Sequence, residues 1–153
     1  MTEATTSATG TRTLGHLMPP GPVEFTEQSL LDAPELVAPD GSAVRVLVAG
    51  ARGSMAHFTL AASACSVAVR HRTVEELWYV VEGRGEMWRH NEHDEDVVAL
   101  HAGLSLTIPV GTAFQFRASE GSALRVVGVT MPPWPGDDEA VVVDGPWAPN
   151  VER

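Results

Sequence analysis

From Ser42 onward, short Val-, Leu- and Thr-rich apolar runs alternate with polar punctuation of Gly, Pro, Asn and Asp. The runs are Ala43–Ala49, Met55–Ala61, Ser66–His71, Glu76–Val81, Gly85–His90, Val97–His101, Leu104–Pro109, Phe114–Ala118 and Leu124–Met131. None is long enough for a typical helix, and β-branched residues dominate several of them. A period of two places alternate side chains on one face of a strand. Many short strands at this spacing predict an all-β sandwich or barrel over residues 42–131.

The flanks read differently. Residues 1–15 are rich in Thr, Ala and Ser, which predicts a flexible tail. Residues 16–41 are proline-rich and read as an N-terminal arm, in which Thr26 could cap a short helix over Glu27–Asp32 that Pro34 would stop. Residues 132–153 are again proline-rich, which forbids a central strand and predicts a C-terminal wrap. Trp134 and Trp147 are its large apolar groups. The plain expectation is that they pin the wrap onto the barrel; the functional alternative is a lid over the barrel mouth.

Composition narrows the function. The chain has 153 residues, enough for one domain, and 44% of them are hydrophobic, so a core can form. Its net charge of -10 repels phosphate backbones and anionic membranes, so neither nucleic acid nor membrane is an expected partner. Every basic residue is Arg, which leaves no lysine for a Schiff base. Cys65 stands alone, which excludes an intramolecular disulfide. The opening MTEATTSATGTRT has no apolar signal region. The uncharged stretch from Val97 to Phe116 is broken by Gly103, Pro109 and Gly111, so it does not read as a spanning helix. A cytoplasmic protein is the expectation.

Two stretches carry motifs. One is His71-Arg-Thr-Val-Glu-Glu76-Leu-Trp78-Tyr-Val-Val-Glu-Gly83-Arg-Gly85; the other is Gly103-Leu-Ser-Leu-Thr-Ile-Pro109-Val-Gly111-Thr-Ala-Phe114. Together they resemble the two motifs of the cupin superfamily, with Glu76 and Gly83 in the first and Gly103, Pro109 and Gly111 in the second. The resemblance covers roughly residues 43 to 131 and implies a cupin jelly-roll β-barrel. It also implies a metal site of two His and one Glu from the first motif and one His from the second. Only His71 and Glu76 match. Val69 and Phe114 stand at the other two ligand positions, and Ala118 replaces the Asn that usually follows. Val and Phe cannot ligate a metal, so no cofactor is expected, or at most a divalent ion on His71 and Glu76. His57 and Gln115 are the other donors that the sequence offers.

Without a metal, His71 and Glu76 still carry chemistry. Glu76, Trp78 and Val80 share one strand face, so if Glu76 points into the barrel, Trp78 does too. A carboxyl against an indole in a dry pocket has a raised pKa, and a neighbouring His makes an acid–base pair with it. A remnant pair on a barrel that only binds is the plainer alternative. Trp78, Phe114, His57 and Trp88 are the candidate substrate-binding residues, and Phe114 shares its face with Phe116. The acidic run from His90 to Asp96 reads as a solvated hairpin turn. The expected function is a non-redox cupin enzyme performing isomerisation, cyclisation, elimination or decarboxylation on a small, partly apolar molecule. The alternative is a non-catalytic binding or sensing cupin. Unpaired sheet edges point to a homodimer.

Overall fold

The computed structural model describes residues 24–152. The expected tail over 1–15 and the start of the arm, up to residue 23, lie outside the described residues. Eleven strands follow one another among the described residues: β1 (Glu35–Val37), β2 (Ala43–Ala49), β3 (Ser54–Leu60), β4 (Val69–His71), β5 (Glu75–Glu82), β6 (Arg84–His90), β7 (Glu95–His101), β8 (Ser105–Ile108), β9 (Ala113–Ala118), β10 (Leu124–Met131) and β11 (Ala140–Val142). The strands pair antiparallel in two sheets, β1-β2-β3-β10-β5-β8 and β11-β4-β9-β6-β7. The fold is an all-β jelly roll, but its sheets face each other without closing into the continuous barrel that the sequence led us to expect.

Alternation decides which residues the sheets enclose. On β5, Glu76, Trp78 and Val80 are buried while Leu77, Tyr79 and Val81 face outward. The enclosed layer joins Trp78 and Val80 to Leu60, Met87, Phe114, Phe116, Leu124 and Val126. Interior aromatic rings pack edge to face, with Trp78 and Phe116 centroids 4.9 Å apart. At the β5–β6 turn, Gly83 has φ of 90° and lies against the Ala123 carbonyl, leaving no room for a side chain.

Two local expectations change, and the hairpin expected over His90–Asp96 takes its place between two strands. The helix expected over Glu27–Asp32 is a single 3-10 turn, Leu30–Asp32, flanked by Ser29 in place of Thr26, and no side chain caps it. The segment is too short to bury an apolar stripe, and none of its three residues is buried. The C-terminal residues contain β11, which extends a sheet edge by pairing with β4. An edge is where flanking prolines are compatible with pairing. The run from His90 to Asp96 spans the β6–β7 hairpin, and its turn is held by the Asn91 side chain accepting from the amides of His93 and Asp94.

Residues after β11 lie over the outer face of the second sheet. Gln115, on the outward face of β9, donates to the Ser66 and Trp147 carbonyls and accepts from the Trp147 amide. The Arg117 guanidinium sits 4.0 Å above the Trp147 ring. Asn150 accepts from the Cys65 amide. β9 is thus buried on both faces.

The corner between β4 and β5 passes from one sheet to the other and is fastened by Glu139. Its carboxylate accepts from the amides of Thr73 and Val74 and from the Thr73 hydroxyl, and its carbonyl accepts from Arg72. Burial opposes its charge, but these bonds and nearby His71 outweigh it and hold the carboxyl below its ordinary value. Glu139→Ala is expected to lower the urea midpoint by an amount equivalent to about 3 kcal/mol, the order of a charged hydrogen-bond acceptor whose donors are left buried. A depressed folded pKa contributes stability that is present above the unfolded value and lost as pH falls through the folded one. The gap between wild type and Glu139→Ala should therefore narrow in acid below about pH 4.5.

Candidate active site

The β4–β5 corner brings together the last residue of one strand and the second residue of the next. His71 Nδ1 lies 3.4 Å from Glu76 Oε2, and both side chains are almost fully buried. That separation is within ion-pair range, yet Nδ1 has no hydrogen-bond partner. Burial explains why the two need not be charged. It pushes Glu76 up to about 8; the Trp78 indole N–H, donating to Oε1 at 2.7 Å, opposes that rise, and nearby Asp40 adds to it. Burial also lowers His71 to about 4, against the pull of Glu139. At neutral pH the environment favours a protonated carboxyl beside a neutral imidazole.

These two groups line a cavity of about 680 Å³ between the sheets. Trp78, Phe58, Phe114 and Trp134 supply aromatic walls. The His71 ring meets Phe114 edge-on at 5.2 Å and Trp134 at 5.1 Å. Trp134 is set by its amide, which donates to Ser54 Oγ, itself 2.7 Å from Thr130 Oγ1. Asp40 is a second buried carboxyl on the wall, and both of its hydrogen bonds, from the Ser42 amide and hydroxyl, go to Oδ1. Burial raises its pKa, against those two bonds.

The structure places Trp78 and Phe114 on the cavity, as it does His71 and Glu76. Two other candidate residues lie elsewhere. His57 follows Ala56 and precedes Phe58 on β3; those two face the cavity, so the period of two turns His57 to the opposite face, opposite Arg45 in the ladder. Burial and the charges of Arg125 and Arg45 lower its pKa. Trp88 lies beside Met87, which takes the interior face; the Trp88 indole instead donates to Glu95 and stacks on His90. Trp134, named in the sequence as pin or lid, lines the cavity, and two residues join the site that the sequence did not single out: Asp40 and Gly128. A Cβ at Gly128 would lie 2.6 Å from Glu76 Oε1 and 3.0 Å from Phe58. Glycine there makes room for the carboxyl. A lone glycine inside the run Val126-Val127-Gly128-Val129 is the sequence signal that could have found it.

The residues present do not fit a tightly held transition metal. Such an ion takes three or four N, O or S donors at about 2.0–2.3 Å. His71 and Glu76 offer two, while Val69 and Phe114 present carbon to the same cavity. Among the described residues no group of three His, Cys, Asp or Glu could hold a metal ion. Nor, among them, is any helix long and apolar enough to cross a membrane.

Comparison with known proteins agrees with this architecture. Residues 56–130 match the family model of a cupin domain. An uncharacterized protein of Methanocaldococcus jannaschii is 26% identical over 111 residues, covering 69% of this chain and 86% of that one. Among solved structures, oxalate decarboxylase from Bacillus subtilis superposes with a TM-score of 0.68 at 15% identity, over 80% of this chain and 33% of that one. The chain thus spans about a third of the length of that decarboxylase. Pac13 from Streptomyces, a nucleoside dehydratase solved with uridine, superposes with a TM-score of 0.63 at 13% identity, over 80% of this chain and 92% of that one. At these identities the likeness is one of fold.

Two outcomes follow from the site. A carboxyl whose folded pKa is raised contributes stability that is present below its unfolded value and lost as pH rises through the folded one. Glu76→Gln removes that titration, so the variant should gain on wild type as pH rises from about 4.5 to about 8, followed by urea denaturation at several pH values. Protein purified without chelator should carry well below one equivalent of Fe, Mn, Ni, Cu or Zn. A full equivalent surviving dialysis would reveal a donor other than His57, which faces away.

Proposed function

We propose that this chain, a member of the cupin superfamily, is an enzyme that moves protons on a small, partly apolar organic molecule held between its sheets. The observation that carries this reading is the buried His71–Glu76 contact of 3.4 Å, with Nδ1 unpartnered and both groups on the cavity. Burial favours a carboxyl that still holds its proton beside an imidazole free to accept one. Elimination and isomerisation use both groups. In elimination, His71 Nδ1 takes a proton from carbon while Glu76 gives its proton to a departing hydroxyl, so that water leaves and a double bond forms. In isomerisation, one group removes a proton and the other returns one at a second atom. Trp78 holds the carboxyl by its indole N–H, and the aromatic walls exclude water. The dehydratase and decarboxylase of similar fold support an enzyme of this superfamily without fixing its substrate.

Turnover tests this. Glu76→Gln and His71→Ala should each reduce kcat by roughly 10²-fold or more, and the double variant should lose little beyond the larger single loss. Trp78→Ala should act mainly on KM. His93→Ala, in the exposed hairpin, should leave turnover unchanged. Equal turnover in Glu76→Gln and wild type would support a site that binds without catalysis. We also propose a homodimer, supported by the exposed apolar residues Leu36, Val37 and Val46 on the edge pair β1–β2. Light scattering at micromolar concentration should give about twice the 16.3-kDa chain mass, and a monomer mass would reject it.

A further inference from the structure

The polar groups of the cavity are unbalanced. Glu76 and Asp40 are buried carboxyls on its wall, and exposed Asp137 stands at its margin. Among the described residues that line it there is no arginine, and the chain has no lysine. Hydrogen-bond capacity leans the same way. His71 Nδ1 is buried beside Glu76 Oε2 and has no hydrogen-bond partner. Both bonds that Asp40 receives go to Oδ1. The Ser54 and Thr130 hydroxyls share one hydrogen bond, which leaves a single hydroxyl hydrogen between them. The cavity is thus rich in acceptors and carries no fixed positive charge.

The remaining wall is aromatic. The Phe58 and Trp78 rings are stacked at 6.1 Å, Trp78 meets Phe114 edge-on at 6.3 Å, and Trp134 closes the side beyond His71. Aromatic faces carry a negative quadrupole that attracts cations, most strongly where water is excluded. Buried carboxyls without a counter-charge gain from the same kind of guest. A carboxylate guest would meet two acids and no cation.

We propose that the cavity selects an organic cation, a ligand with an aromatic or aliphatic body and a protonated amine. The body lies against Trp78 and Phe114, and the ammonium N–H groups donate to the carboxyls of Asp40 and Glu76, which leaves His71 Nδ1 free for the proton it takes from carbon. This deepens the proposed function by naming the charge of its substrate, and it rests on the same cavity. It does not require that turnover occurs.

The test is binding by calorimetry at neutral pH, with EDTA present, using three probes of one size: phenethylammonium, 2-phenylethanol and phenylacetate. The amine should bind about tenfold or more tightly than the alcohol, and phenylacetate should bind worst. Asp40→Asn, which keeps the side-chain volume, should reduce the preference for amine over alcohol several-fold while leaving affinity for the alcohol near its wild-type value. Three results would overturn the proposal: the alcohol or the acid binding as tightly as the amine, an amine preference unchanged in both Asp40→Asn and Glu76→Gln, or no binding of any probe at 10 mM, roughly the weakest affinity the method reads. The wild-type series requires no variant to fold. Binding selectivity is read without catalysis, so an amine preference in a protein whose Glu76→Gln variant loses no turnover would sink the enzyme reading alone. Proton-transfer variants that fail as expected, in a protein that prefers the alcohol, would sink this inference alone.

Discussion

The constraint on which the site depends is the corner at residues 72–74, where the chain leaves one sheet and joins the other. Corners are costly because their amides have left one ladder and not yet joined the next. Here the carboxylate of Glu139, far along the chain, takes up those amides. Fixing the corner fixes the end of β4 against the start of β5, and so sets the distance from His71 to Glu76. β11, which begins at the next residue after Glu139, then pairs with β4 itself. One short stretch of sequence therefore both clamps the corner and extends the strand that carries the imidazole.

The strands were legible because their signal is local. A run of five to eight residues rich in Val, Leu and Thr, ended by Gly, Pro or Asn, needs no knowledge of the partner strand, and Leu124–Met131 appears in the structure with the limits that the pattern assigned. The placement of Glu76 and Trp78 on one face followed from the period of two. Trp88 exposes where that signal ends. It adjoins Met87, so two large apolar side chains compete for the interior, and only the neighbouring strands decide between them. Val141 and Val142 pair with β4, yet flanking prolines make their run read as tail.

Contacts between distant residues were beyond the pattern altogether. Asp40 sits in a Pro-Asp-Gly-Ser sequence, which by composition is a solvated turn. It is buried because the turn folds over the cavity wall and Ser42 satisfies one of its oxygens. Trp134 meets His71 only because the chain returns across the mouth after β10. The substitution of the other ligand positions by Val69 and Phe114 could be read directly, since it concerns residue type. What it did to the environment of the surviving His and Glu could not. An aromatic cavity whose burial favours the uncharged form of both groups depends on four strands and a loop meeting in space.

The wall formed by Trp134, Gly136 and Asp137 belongs to none of the strands that enclose the aromatic interior. It is carried by a connection tied down at its two ends, by the Trp134 amide on Ser54 and by Glu139 on the corner. Between those ties Gly136 and Asp137 line the cavity outside any strand. Selectivity in this molecule is therefore separable from foldability. A lineage could exchange those few residues, changing which guest is admitted, while the strands, the corner and the His71–Glu76 contact stayed as they are.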